Sequence, residues 1–168
     1  TVSQLGFLVV LVGAGTGDAA LAGVAMVLAH ALYKACLFLV VGAIDHATGT
    51  RDLRELSGLA HTSPGLAIAG VVGAASMAGL PPLLGFVGKE AAYAAFTSGE
   101  QPWDFWVLAV LVVGSMLTFA YSVRFVWGAF RTQPDRDDTS VHPRGPGLLA
   151  APLVPAGLSL ALGPAAPL

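Results

Sequence analysis

Lys34 and His30 stand four residues apart in an apolar stretch, residues 19–44, in which Lys34 is the only formal charge. On a helix that spacing puts both side chains on one face, one turn apart. Lys34 would lie about 22 Å along a helix starting near residue 19, deep inside a bilayer. A buried ammonium is disfavoured, more so beside a second cation, and an imidazole titrates near neutrality. The pair is therefore suited to passing a proton on, and poorly suited to resting as two fixed cations. The plainer alternative is that Lys34 reaches an interface along its stem while His30 donates to a backbone carbonyl.

Lys89 is the second lysine in an apolar stretch, residues 64–98, and it follows the run Gly79-Leu80-Pro81-Pro82-Leu83-Leu84-Gly85. Each proline lacks an N–H and clashes with the carbonyl four residues back. The carbonyls of Met77 and Ala78 thus lose their helical partners, and lipid cannot replace them. Broken helices of this kind form ion and substrate sites in transporters. The alternative for Lys89 is an interfacial amine paired with Glu90, a weak pairing because sequence neighbours point different ways on a helix. Glu90 could line the same path as Lys89 or simply sit near water.

The remaining polar groups carry less. Asp18 belongs to a Gly-rich turn, His46 and His61 belong in or beside a polar connector, and Cys36 and the methionines read as packing. No phosphate loop, metal cluster or catalytic triad is visible, so no metal site is expected.

The elements that must position these residues follow from composition. Of the 168 residues, 55% are hydrophobic and 11% charged, against roughly 25% charged in an ordinary soluble domain. Mean hydropathy is +0.76. Eight basic and ten acidic side chains are too few to cover a soluble domain. This excludes a conventional soluble enzyme, a disordered tail and a nucleic-acid binder. One cysteine excludes a disulfide framework. Runs that are apolar on every face, such as residues 105–118, favour helices over a β-barrel.

The predicted fold is all-α: an integral membrane helical bundle of five transmembrane helices, one of them broken by Pro and Gly. The spans are 2–15, 19–44, 64–98 (broken near 79–82), 103–130 and 147–168, in a single domain. The 45–63 connector carries Arg51 and Arg54, the 131–146 connector three arginines and the Asp135-Arg136-Asp137-Asp138 cluster, and the 99–102 turn only Glu100. The positive-inside rule puts both Arg-bearing connectors in the cytoplasm, with Trp127 as an interfacial anchor. The chain opens on Thr1 with no basic run before the apolar stretch, so a fragment is expected rather than a signal peptide.

The run His30-Ala31-Leu32-Tyr33-Lys34-Ala35-Cys36-Leu37-Phe38, with Gly42-Ala43-Ile44-Asp45-His46 after it, resembles a motif of the antiporter-like subunits. These occur in respiratory complex I and in Mrp-type multisubunit Na+/H+ antiporters. Residues 76–90, with Pro81, Pro82, Gly85 and Lys89, resemble their later broken helix, and Thr1-Val2-Ser3-Gln4-Leu5-Gly6 the start of a family helix. The double proline, the 44–53 stretch and Arg124-Phe125-Val126-Trp127-Gly128 are closer to the Mrp A subunit than to complex I. The resemblance covers about residues 1–131.

It implies the second half of a 14-helix module built of two inverted five-helix repeats. It implies Lys34 as a central relay, His30 coupled to it through water, and Lys89 as the terminal relay at the break. The complex would exchange cytoplasmic Na+ for external H+ in a bacterial plasma membrane. Its partners would be other membrane subunits, and no redox cofactor is expected in this one. Two rivals share the helices: a proton-pumping subunit of a quinone-reducing or hydrogenase complex, and a structural membrane subunit that moves no ions.

Overall fold

The computed structural model describes residues 1–97, 101–134, 138–139 and 146–166. Every regular element among them is a helix: α1 (Val2–Gly13), α2 (Gly17–Thr48), α3 (Leu59–Thr62), α4 (Pro64–Ala78), α5 (Leu84–Ala94), α6 (Asp104–Phe130), α7 (Pro146–Ala150) and α8 (Leu153–Ala165). Two of them, α2 and α6, are long and apolar enough to cross a membrane, while α1, α4 and α8 are shorter apolar helices. The expected span 64–98 is two helices, α4 and α5, and the expected span 147–168 is α7 followed by α8.

The longest helix, α2, has 32 residues and organises the bundle. The Thr16 hydroxyl accepts from the Ala19 N–H at 3.2 Å and caps the first turn, where Asp18 also lies. Its buried residues include Ala22, Met26, Ala29, Tyr33, Cys36, Val40, Ala43 and Ala47, a three-and-four spacing that forms one continuous face. That face meets α4, α5 and α8, and α1 packs alongside. The helix stops at Gly49, which takes φ 74° where a side chain would be strained. It therefore runs past the residue-44 boundary expected from polarity. Asp45 and the exposed His46 are helical, because the left-handed glycine ends the helix and the first polar residue does not.

Small residues let the helices approach. A Cβ on Gly73 would come within 2.9 Å of the Cys36 Sγ, and one on Gly88 within 3.2 Å of Met26. A Cβ on Gly70 would stand 2.6 Å from the ring of Phe130, which closes α6 onto α4. Gly70→Leu is expected to drive Phe130 from its buried seat at an overpacking cost of about 1–3 kcal/mol. A lowered thermal midpoint of the purified protein is the check; an unchanged midpoint would mean the ring moves aside freely.

The two Arg-bearing connectors meet at one end of the bundle. The N–H groups of Gln133 and Thr139 donate to Ser57 Oγ (3.0 Å) and Ser57 O (2.8 Å). The Gly58 N–H donates to Arg131 O at 3.1 Å. The Arg131 guanidinium also lies 5.0 Å above the Trp127 ring, a cation–π contact. Arg51 and Arg54 pair with Asp45 and Asp52 at 2.6 and 2.8 Å. Glu100, Arg136, Arg144 and the acidic residues 135 and 137 lie outside the described residues.

Candidate functional site

The site starts from the prolines. A continuous helix would offer the carbonyls of Met77 and Ala78 the N–H groups of residues 81 and 82, and both of those are proline. The helix stops at Ala78, Gly79 turns with φ 85°, and α5 begins at Leu84. The Gly79 and Leu80 N–H groups fold back onto the Ala75 carbonyl, each at 3.0 Å. The Ala78 carbonyl accepts instead from Lys89 Nζ at 3.0 Å. Lys89 is 4% exposed. Its amine thus meets the C-terminal end of α4, where the helix dipole favours a cation.

Two glycines make this possible. The Lys89 stem crosses Gly79 so closely that a Cβ there would stand 2.7 Å from Lys89 Cδ. A Cβ on Gly85 would fall on the Ser76 carbonyl. The Gly85 N–H, left without a helical partner in the first turn of α5, donates to Ser76 Oγ at 3.3 Å. Pro81 and Pro82 are exposed on the turn, and Glu90 is exposed one residue beyond Lys89. The structure therefore gathers Lys89, Gly79 and Gly85 and leaves Glu90 exposed at the edge of the site.

The last helix closes over the break, a contact that the sequence did not reveal. The hydroxyls of Ser159 and Ser76 are 2.9 Å apart, and both residues are buried. A Cβ on Gly163 would fall on the Pro82 carbonyl. Gly163→Val is expected to lift α8 off the turn and expose Lys89, read as faster proteolysis of the purified protein. Unaltered proteolysis would mean that α8 does not hold the break.

Lys34 and His30 are both half-buried on α2. Lys34 has no carboxylate partner among the described residues, and it acts electrostatically on His30. The His30 ring stacks on that of Tyr33, with centroids 5.5 Å apart and planes at 20°. Tyr33 joins Ala29 and Leu37 of α2 in one buried cluster with Met77, Leu84 and Val87 around the break. No hydrogen bond joins Lys34 to Lys89 among the described residues.

Sequence reasoning missed the polar layer behind His30. The Tyr33 hydroxyl donates to Gln4 Oε1 at 2.9 Å, and Gln4 Nε2 donates to Thr118 Oγ1 at 3.2 Å. All three side chains are buried. The available signal was a glutamine and a threonine inside apolar stretches, which in lipid usually bond across helices. Among the described residues no group of His, Cys, Asp or Glu could hold a metal ion.

Comparison with known proteins matches residues 1–118 to the family described as NADH:quinone oxidoreductase/Mrp antiporter, transmembrane. A probable K+/H+ antiporter A/B subunit of Rhizobium meliloti (strain 1021) is 39% identical over 155 residues, covering 91% of this chain and 16% of that protein. The A subunit of the Na+/H+ antiporter of Bacillus subtilis (strain 168) is 33% identical over 182 residues, covering 96% and 23%. The chain thus spans between 16% and 23% of the length of these relatives. An Mrp complex structure from Dietzia sp. DQ12-45-1b superposes with a TM-score of 0.81 at 30% identity, covering 95% of this chain and 37% of that one. The membrane-bound sulfane sulfur reductase, an archaeal respiratory membrane complex, gives 0.81 at 28% identity, covering 95% and 26%.

Proposed function

Because the chain belongs to the NADH:quinone oxidoreductase/Mrp antiporter transmembrane family, we propose that it is the C-terminal half of the antiporter module of an Mrp-type A subunit. It carries half of a proton path through five membrane-crossing segments. In four of them the helices are α1, α2, the α4–α5 pair and α6; the fifth is the α7–α8 region. The arginine-bearing connectors face the cytoplasm of a bacterial cell. Lys34 is the central relay, His30 exchanges protons with it through water, and Lys89 passes protons to one aqueous side at the helix break. Glu90, exposed beside Lys89, accepts them at the mouth of that path. Other membrane subunits complete the complex, which exchanges H+ for a monovalent cation, Na+ in the first instance.

One observation carries this reading: the buried Lys89 amine on the orphaned Ala78 carbonyl, 3.0 Å away. An ionisable group inside a membrane protein is a functional site by default, and this one is built into a discontinuous helix. The test is the purified intact complex in liposomes, with no electron donor present. An imposed Na+ gradient should drive proton movement, and the same experiment with K+ decides which cation is preferred. Absence of exchange with either cation would reject an antiporter.

The equal superposition on a respiratory complex supports a second reading, a pump driven by redox partners. Proton movement that requires a reductant, with iron–sulfur or flavin subunits in the purified complex, would select it.

A further inference from the structure

We propose that Tyr33 is a positioning residue for His30, held in place by a buried glutamine on the neighbouring helix. The inference rests on the relay reading above and deepens it. The His30 ring stacks on Tyr33 at 5.5 Å. The far end of the Tyr33 ring is fixed by Gln4 of α1, and Gln4 is fixed by Thr118 of α6. Relative exposures of Tyr33, Gln4 and Thr118 are 1%, 3% and 1%.

The direction of every bond in this layer is determined. Thr118 Oγ1 donates its one proton to the Gly114 carbonyl at 2.8 Å. It can therefore only accept from Gln4, so the amide nitrogen of Gln4 must face it. The amide oxygen then faces Tyr33, whose hydroxyl must donate. Reversing any one bond leaves two donors or two acceptors opposed. A buried network satisfied in only one sense specifies one arrangement of its members. Tyr33 is thereby locked in rotation, and its ring gives the half-buried His30 a fixed plane to lie against.

Among the described residues, Lys34 on the same helix acts on the imidazole electrostatically. Tyr121 of α6 acts on Tyr33. From α4 and α5, the apolar Ala74, Met77, Leu84 and Val87 belong to the same buried cluster as Tyr33. The position of the imidazole relative to Lys34 is then what tunes proton passage between them, and a displaced general acid–base group loses roughly tenfold to a hundredfold in rate.

The experiment is a double-mutant cycle on the intact complex, measuring cation-driven proton flux in vesicles from about pH 6 to about pH 9, a range that brackets imidazole titration. Gln4→Met leaves the Tyr33 hydroxyl without its acceptor, and Tyr33→Phe removes that hydroxyl and keeps the stacking ring. Both variants are expected to assemble and to shift the pH of half-maximal exchange by about half a unit or more, as for a change in environment of a titrating group. In the Tyr33→Phe background, Gln4→Met should add nothing further. Wild-type pH profiles in both single variants would overturn the inference. So would shifts that simply sum in the double variant, since Gln4 would then act by another route. If Gln4→Met fails to assemble, Tyr33→Phe, which loses one oxygen, decides alone. Lys34→Ala separates the two failures. Wild-type flux in that variant rejects the relay itself, whereas its loss beside unshifted Gln4 and Tyr33 variants rejects only the positioning role.

Discussion

Lys89→Met should reduce cation-driven proton flux to the background of empty vesicles, and Lys89→Arg should do the same. The two substitutions separate what the amine does from what it holds together. Methionine keeps the length and apolar packing of the stem but leaves the Ala78 carbonyl without its 3.0 Å donor. That bond is part-buried, so the unpaired acceptor costs at most about 1–3 kcal/mol, which a large bundle tolerates. Arginine restores a cation and a donor at the end of α4, so the structural part of the role is kept. Its guanidinium does not give up its proton in a protein, so a relay stops. A merely structural lysine predicts recovery in the arginine variant; a relay predicts none. Wild-type exchange in either variant would remove Lys89 from the mechanism. Assembly is checked by recovery of the complex on size exclusion.

Lys34→Ala is expected to abolish the same flux, by about a hundredfold or more, the usual range for loss of a proton-transfer group. Its effect on assembly should be small. Lys34 is only half-buried and has no carboxylate partner among the described residues, so its removal strands no buried charge. The outcome that sinks the idea is retained exchange in a complex shown to contain the variant chain. Retained exchange in both Lys34→Met and Lys89→Met would leave only a structural role for this protein.

The helix break and its lysine were legible in the sequence because they depend on a local rule. Two adjacent prolines cannot donate, whatever surrounds them, and the carbonyls of Met77 and Ala78 are orphaned by counting four residues back. What could not be read was which group replaces the lost donors. Lys89 to Ala78 is a contact across a turn, set by Gly79 lying under the lysine stem. The Gln4–Thr118 bond joins residues 114 apart, and no periodicity in either stretch pairs them. Gln4 and Tyr33 both stand inside motifs whose other residues carry the stronger signal. The role of α8 was hidden for a similar reason. Its sequence is apolar and rich in Pro and Gly, and the serine that meets Ser76 gains its meaning only from the packing. The end of α2 differs from expectation on a physical point: polarity alone does not stop a helix, and Asp45 and His46 extend it to the glycine that does.

The length of α2 acts as a gauge of the membrane around it. Asp18 in its first turn and Asp45 near its last are about 40 Å apart along the axis. That separation equals the thickness of a bilayer with its headgroups, about 40–45 Å. Both carboxylates then lie outside a hydrocarbon core of about 30 Å, and the helix has length to spare for some tilt. Lys34 falls about 24 Å from the Asp18 level and about 16 Å from the Asp45 level, nearer the arginine-bearing side. A thinner lipid environment would force this helix to lean and carry its lysine sideways, so the activity of the assembly should depend on acyl-chain length.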